Sequence, residues 1–170
     1  MSWPPPIGLL EHPSRVWRAA AALLGVDRVH LIDGGLGNQL FQHAYAIALR
    51  KSDQGRARLD ISRYGKRSAH NGYEADRVFT LEGAVPPLDR QVSAVTFRLA
   101  RWMADFNYEG PSIAFQERFL TAGMCGYVKG FFPSYRYFLS AEDEVRRAFT
   151  FRQPLPRRCS CLASELASGD

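Results

Sequence analysis

The stretch Asp33-Gly34-Gly35-Leu36-Gly37-Asn38-Gln39-Leu40-Phe41 lies where one apolar pattern gives way to another. Before it runs Val29-His30-Leu31-Ile32, a short β-branched segment that reads as a buried strand. After it, Leu40, Phe41, Ala44, Ile47 and Ala48 recur at helical spacing. A strand, a glycine turn and a helix in that order form a corner suited to phosphate. The glycines let backbone pass close to a ligand, and the free N–H groups that open a helix attract anions. Gly35, Leu36, Gly37, Asn38 and Gln39 are therefore the candidate phosphate-binding residues. The plainer alternative is a tight strand-to-helix turn that binds nothing.

The pattern predicts a first strand at Val29–Ile32, a helix over Asn38–Lys51 and a second strand at Arg56–Ile61. A helix between two strands makes a β-α-β unit, hence a parallel pair with a right-handed crossover. The expected fold class is α/β, a Rossmann-like parallel sheet with flanking helices. Gln42, His43, Arg50 and Lys51 are expected on the solvent side of the helix. Ser62 to Asp76 reads as a loop, and Val78 to Leu88 is broken by Pro86-Pro87. Gln91 to Ala104 carries Val92, Val95 and Leu99 at helical spacing, and Tyr108 to Pro111 reads as a turn. Gly126 to Phe132 is a strand by its aromatic and β-branched content. Ser140 to Phe149 is a helix, with Ser140 as its cap, Asp143 at the capping-box position, and Val145 and Phe149 facing the core.

Residues 1–27 read as a proline-rich arm followed by a short helix at Arg15–Leu24, stopped by Gly25. Residues 28–151 are the expected domain. Residues 152–170 read as an irregular tail, with one turn of helix available at Leu162–Ala167. A chain of 170 residues can bury one real core. Its net charge of +5 suits an anionic ligand such as a nucleotide diphosphate, and is too small and too scattered for a nucleic-acid surface. Three cysteines, Cys125, Cys159 and Cys161, form no disulfide framework, and Cys159-x-Cys161 lacks the second ligand pair a zinc site needs. No metal is expected. The longest apolar run, Ala19 to Leu24, is far shorter than the roughly 20 residues of a membrane span. A secretory signal is disfavoured by Pro4-Pro5-Pro6, by Glu11 and by the absence of a small-residue cleavage site. Arg15-Val16-Trp17-Arg18 opens a segment that either packs on the domain, the preferred reading, or lies peripherally on a membrane surface. The expected location is cytoplasmic, with contact at the inner face of the membrane as the variant.

Three segments together resemble glycosyltransferase family 11, the α-1,2-fucosyltransferases. Gly34-Gly35-Leu36-Gly37-Asn38-Gln39-Leu40-Phe41-Gln42-His43-Ala44 is similar to the family's Gly-Gly-Leu-Gly-Asn-Gln-Met-Phe-Gln-Tyr-Ala opening. His70-Asn71-Gly72-Tyr73-Glu74-Ala75-Asp76-Arg77-Val78-Phe79 is similar to its His-Asn-Gly-(Phe/Tyr)-Glu-Leu-Asp-Arg-Ile-Phe. Gly126-Tyr127-Val128 through Tyr137-Phe138, with Phe149-Thr150-Phe151 beyond, resembles its Gly-Tyr-(Phe/Trp)-Gln-Ser to Tyr-Phe block. Arg58-Leu59-Asp60-Ile61-Ser62 also matches the family's second strand. The likeness runs from about Val29 to Phe151, and the order and spacing of its segments make it specific.

The resemblance implies the N-terminal, acceptor-side half of a GT-B enzyme. It implies GDP-fucose as donor substrate, a galactose-terminated glycan as acceptor, inversion at the sugar, and no cofactor or divalent metal. It stops where the family's donor signature, His-x-Arg-Arg-Gly-Asp, should follow. Here the chain reads Gln153-Pro154-Leu155-Pro156-Arg157-Arg158-Cys159-Ser160. The expectation is therefore a truncated transferase whose competence alone is in question.

Inversion by one displacement wants a base for the incoming hydroxyl. The resemblance places the candidates in one loop: His70 and Glu74 first, then Asp76, with Asn71 and Tyr73 beside them on the acceptor side. Asn71-Gly72 also reads as a plain turn, and Tyr73 as loop packing. Asn38 reads equally as a ligand contact and as a cap for its helix. Two other functions stay open on the residues. An NAD-type dinucleotide-binding protein would use Gly35-x-Gly37 and hold the ribose with Asp60, although Leu40 stands where the third glycine belongs. A non-catalytic transferase remnant would bind sugar weakly or not at all.

Overall fold

The computed structural model describes residues 28–53, 57–64, 71–88, 106–108, 114–120 and 126–168. Four short strands form one sheet: β1 (Arg28–Leu31), β2 (Ala57–Asp60), β3 (Phe106–Tyr108) and β4 (Gly126–Lys129). Their order is β2-β1-β4-β3, and every neighbouring pair runs parallel. Parallel sheets covered on their faces bury their strands on both sides, and β1 and β2 are buried at almost every position even though Arg28, His30, Arg58 and Asp60 interrupt their apolar residues. The helix α1 (Leu36–Asp53) joins β1 to β2, as the apolar periodicity predicts. It starts two residues earlier than the spacing indicates. A single bridge between Leu59 and Pro87 adds one more extended segment beside β2.

The α/β class with a parallel sheet and flanking helices is thus what the chain forms. Several local expectations are corrected. Gln42 and His43 are buried, not on the solvent side. Residues 42–49 of α1 are all buried, while Arg50 and Lys51 are exposed as expected. Tyr108 ends strand β3 rather than opening a turn. The tail expected to be irregular holds a helix at Arg157–Ser168. The expected helix at 91–104, the segment 1–27 and Cys125 lie outside the described residues.

Three layers of contact wrap α1. On one side Ala46 packs with Ile32, Ala57, Leu59, Tyr64 and Val85. On another, Tyr45 and Leu49 meet Val128, Phe119, Phe132 and Tyr137. On the third, Ile47 and Ala48 meet Ala141 and Ala148. The small residues Ala44, Ala46 and Ala48 let these neighbours approach α1 closely. Two 3₁₀ turns, Tyr135–Tyr137 and Leu139–Ala141, lead from β4 into a short helix at Glu142–Ala148. Ser140 therefore lies in a 3₁₀ turn and Ala141 occupies the N-cap, without a side-chain cap bond. Val145 and Phe149 reach the core only partly, and Ala148 is the residue that is buried. Counted with the four-residue helix Ala75–Val78, these become α2 (Ala75–Val78), α3 (Glu142–Ala148) and α4 (Arg157–Ser168). No described helix is long and apolar enough to cross a membrane.

Candidate functional site

The corner lies just beyond the carboxyl end of β1, the end at which open parallel sheets take ligands. Gly34 turns the chain with φ +86°, and a Cβ there would meet Asn38 Nδ2 at 2.5 Å, so glycine is required. The first helical bond runs from Gln39 N–H to the Gly35 carbonyl at 3.0 Å. Leu36, Gly37 and Asn38 are therefore first-turn residues whose N–H groups have no carbonyl one turn back. No described residue accepts from them. Gly37 is exposed and a Cβ built on it meets nothing within 4 Å. Asn38 sits inside the first turn, leaning over Gly34, so it does not cap α1 from in front.

Gln39 is different from what its place in the first turn indicates. It is fully buried, and all four of its hydrogen-bonding positions go to backbone. Its Nε2 donates to the carbonyls of Gly34 at 3.1 Å and Gly72 at 3.0 Å. Its Oε1 accepts from the N–H groups of Glu74 at 2.9 Å and Ala75 at 3.1 Å. An amide has two donors and two acceptor sites, so none is left for a phosphate. The expectation that Gln39 contacts a ligand is corrected: it clamps the 71–75 segment to the corner.

Further bonds fix the same bend. Tyr64 hydroxyl donates to the Gly34 carbonyl at 2.7 Å. Gln42 accepts from Asp33 N–H at 3.0 Å and donates to the Gly130 carbonyl at 2.8 Å, tying the loop after β1 to the loop after β4. Asp33 Oδ1 accepts from Gly34 N–H at 2.9 Å, and its Oδ2 lies 3.4 Å from the half-exposed Arg63 guanidinium. Beyond Gly130, Phe132 holds φ 51°, a left-handed conformation strained for so bulky a residue. Its ring, stacked on Tyr45 at 3.8 Å, holds it there.

The 71–76 segment reaches the corner through side chains as well. Tyr73 hydroxyl and His43 Nε2 share a hydrogen bond of 2.8 Å, and the two rings stack. Burial pushes the His43 imidazole down to about 4 and raises the Tyr73 phenol above its ordinary value. The pair is thus neutral at physiological pH, a packed strut between loop and helix. Burial, and then the charge of Asp33, raise the Tyr64 phenol too. Glu74 is half-buried, and no described residue bonds or pairs with its carboxylate; Asn71 is exposed, and Asp76 sits exposed in α2 rather than in the loop. His70 lies outside the described residues.

No family model, curated protein or solved structure matches this chain.

Asp60, which a dinucleotide reading needs at a ribose, is fully buried. Its Oδ1 accepts from Ser62 N–H at 2.8 Å, and its Oδ2 accepts a hydrogen bond from the Tyr127 hydroxyl. Burial and that carboxylate push the Tyr127 phenol upward. With both oxygens engaged under the sheet's end, Asp60 has nothing to offer a sugar. Among the described residues there is no group of three His, Cys, Asp or Glu able to hold a metal ion.

The residues that sequence reasoning missed are Gln42, Tyr64 and His43. Each is polar and buried. For Gln42 and His43 the available signal was their place among Leu40, Phe41, Ala44, Ile47 and Ala48, an apolar run that leaves little room for a wet face; Tyr64 carried no such signal.

Proposed function

We propose that residues 28–151 are the acceptor-side, Rossmann-like half of a GT-B α-1,2-fucosyltransferase, which moves fucose from GDP-fucose to a terminal galactose with inversion. One observation carries this reading. The two stretches on which the family resemblance chiefly rests, 34–44 and 70–79, are distant in sequence, yet Gln39 joins them with bonds to Gly34, Gly72, Glu74 and Ala75. A loop whose Glu74 carboxylate has no partner among the described residues is thereby fastened to a corner whose first-turn amides have none among them either, the loop suiting the acceptor and the corner the leaving group.

In the proposed reaction the Glu74 carboxylate takes the proton from the acceptor's 2-hydroxyl. That oxygen attacks the anomeric carbon of fucose from the face opposite the diphosphate, and the bond to phosphate breaks. The N–H groups of Leu36, Gly37 and Asn38 meet part of the negative charge that grows on the departing GDP, the kind of help that is usually largest in such chemistry. The family's donor motif is not among these 170 residues, so the guanine nucleotide's other contacts come from outside them.

Thermal-shift measurements with GDP, GDP-fucose and NAD test the reading, together with transfer of labelled fucose to a β-galactoside and digestion of the product by a linkage-specific fucosidase. Stabilisation by GDP and GDP-fucose and not by NAD is expected. A response to NAD alone would favour a dinucleotide-binding protein. No response to any of the three would leave the non-catalytic remnant.

A further inference from the structure

Residues 157–168 form a 12-residue helix whose described side chains are all exposed. Isolated helices of fewer than about 12–15 residues are marginal in water, and the exposure of this one gives it little support from packing on the described residues of its own domain. Its sequence nonetheless carries a stripe. Cys159, Leu162, Ala163 and Leu166 recur at spacings of three and four, so they share one face. Leu162 is 56% and Leu166 76% exposed.

The same chain carries a groove of about 580 Å³, lined by Tyr135, Phe138, Leu139, Val145 and Phe149, with Glu142 and Arg146 beside them. Tyr135 and Leu139 are exposed by 65% and 60%. The charges at the two features also match. The first turn of α3, beside the groove, holds Glu142, Asp143 and Glu144; Glu142 already pairs with Arg146 and Glu144 with Lys51, and no described residue pairs with Asp143. The first turn of α4 holds Arg157 and Arg158 and no acid. Cations at a helix N-terminus are disfavoured by the helix dipole, so these arginines gain by finding an external acid. Set side by side in parallel, α4 brings its arginines to the acidic turn and its leucines along Val145 and Phe149.

We infer that α4 docks in this groove on a second copy of the chain, and that the exchange is mutual, giving a two-fold dimer with two such seats. The inference is independent of the transferase reading.

Light scattering coupled to size-exclusion chromatography on the full chain tests it. A dimer that dissociates on dilution is expected. L162E/L166E and, separately, Leu139→Glu should each give monomers with unchanged circular dichroism from the sheet domain. Mixing those two variants should restore a dimer held by one seat, since one supplies an intact groove and the other an intact α4. R157E/R158E should weaken the dimer by at least tenfold, and more salt should weaken the wild type. A monomeric wild type overturns the inference, as does a dimer that survives both sets of changes. So does a monomer whose α4 binds vesicles of anionic phospholipid, which would give the stripe to a membrane. The wild-type mass and its salt dependence decide the matter even where a variant fails to fold.

Discussion

The side-chain oxygen of Gln39 accepts the backbone N–H of Glu74 at 2.9 Å across 35 residues of sequence. That bond places the loop carrying the proposed base relative to the corner. Gln39→Leu keeps the volume and removes all four bonds. The Gly72 carbonyl and the N–H groups of Glu74 and Ala75 lose this partner, while the Gly34 carbonyl keeps the Tyr64 hydroxyl. The variant should lose about 1–3 kcal/mol of stability by urea unfolding, the cost of leaving buried polar groups unpaired, and proteolysis should strike first near residues 71–75. Wild-type stability would show that water or a neighbour replaces the amide.

Two glycines of the corner should behave in opposite ways. Gly34→Ala forces a Cβ into Asn38 at a positive φ and should destabilise by about 1–2 kcal/mol or more. Gly37→Ala adds a methyl to open space in a helix, so the fold should keep or gain up to about 1 kcal/mol. That methyl stands where a phosphate would approach, and the thermal shift from GDP should shrink or vanish. A full nucleotide response in Gly37→Ala removes the corner from the binding site.

The histidines make stability depend on pH. His43 is depressed to about 4 by burial, and His30 is driven well below its ordinary value by burial and by Arg28. Between about pH 6.5 and 4 the unfolded chain binds protons that the folded chain refuses. Their favourable contribution is therefore complete above about 6.5 and is lost as the pH falls, at up to about 1.4 kcal/mol per pH unit for each histidine. Urea midpoints measured from pH 8 to 4 should decline along this course. A flat profile would contradict it.

His30 offers a sharper version. Both its ring nitrogens are buried without a hydrogen-bond partner among the described residues, and the ring packs edge-on to Tyr45. Replacing an unpaired buried polar group by an apolar one of similar size is nearly neutral or stabilising. His30→Leu should match wild type within about 1 kcal/mol at pH 7.5 and exceed it at pH 5. A loss at both values would give the imidazole a packing role that leucine cannot fill.

Glu74→Gln separates chemistry from folding. No described residue pairs with the carboxylate, so unfolding should move by no more than about 0.5 kcal/mol, as for other half-exposed sites. Fucosyl transfer, measured with the donor half supplied, should fall about 10²–10⁴-fold if Glu74 is the base. Undiminished transfer would pass the role to another group.

The central unit was legible because three signals agreed there: β-branched residues before the glycines, helical spacing after them, and a second strand at the right distance. Strand β3 was not, because three residues beside a glycine and a proline carry no period. The tail helix was hidden by Cys, Ser and Ala, which dilute an apolar stripe that only Leu162 and Leu166 mark. Of the site, the corner could be read from glycine spacing alone. The burial of Gln39, Gln42 and Asp60 could not, because amides and carboxylates look solvent-bound until the backbone groups that satisfy them are brought near by the fold.

Because residues 42–49 of α1 are buried without a break, the turn at its head is anchored to the packed interior of the domain. A molecule settling on Gly37 meets a contour already set when the chain folded, so the loss of freedom on recognition falls on the visitor and hardly at all on its host.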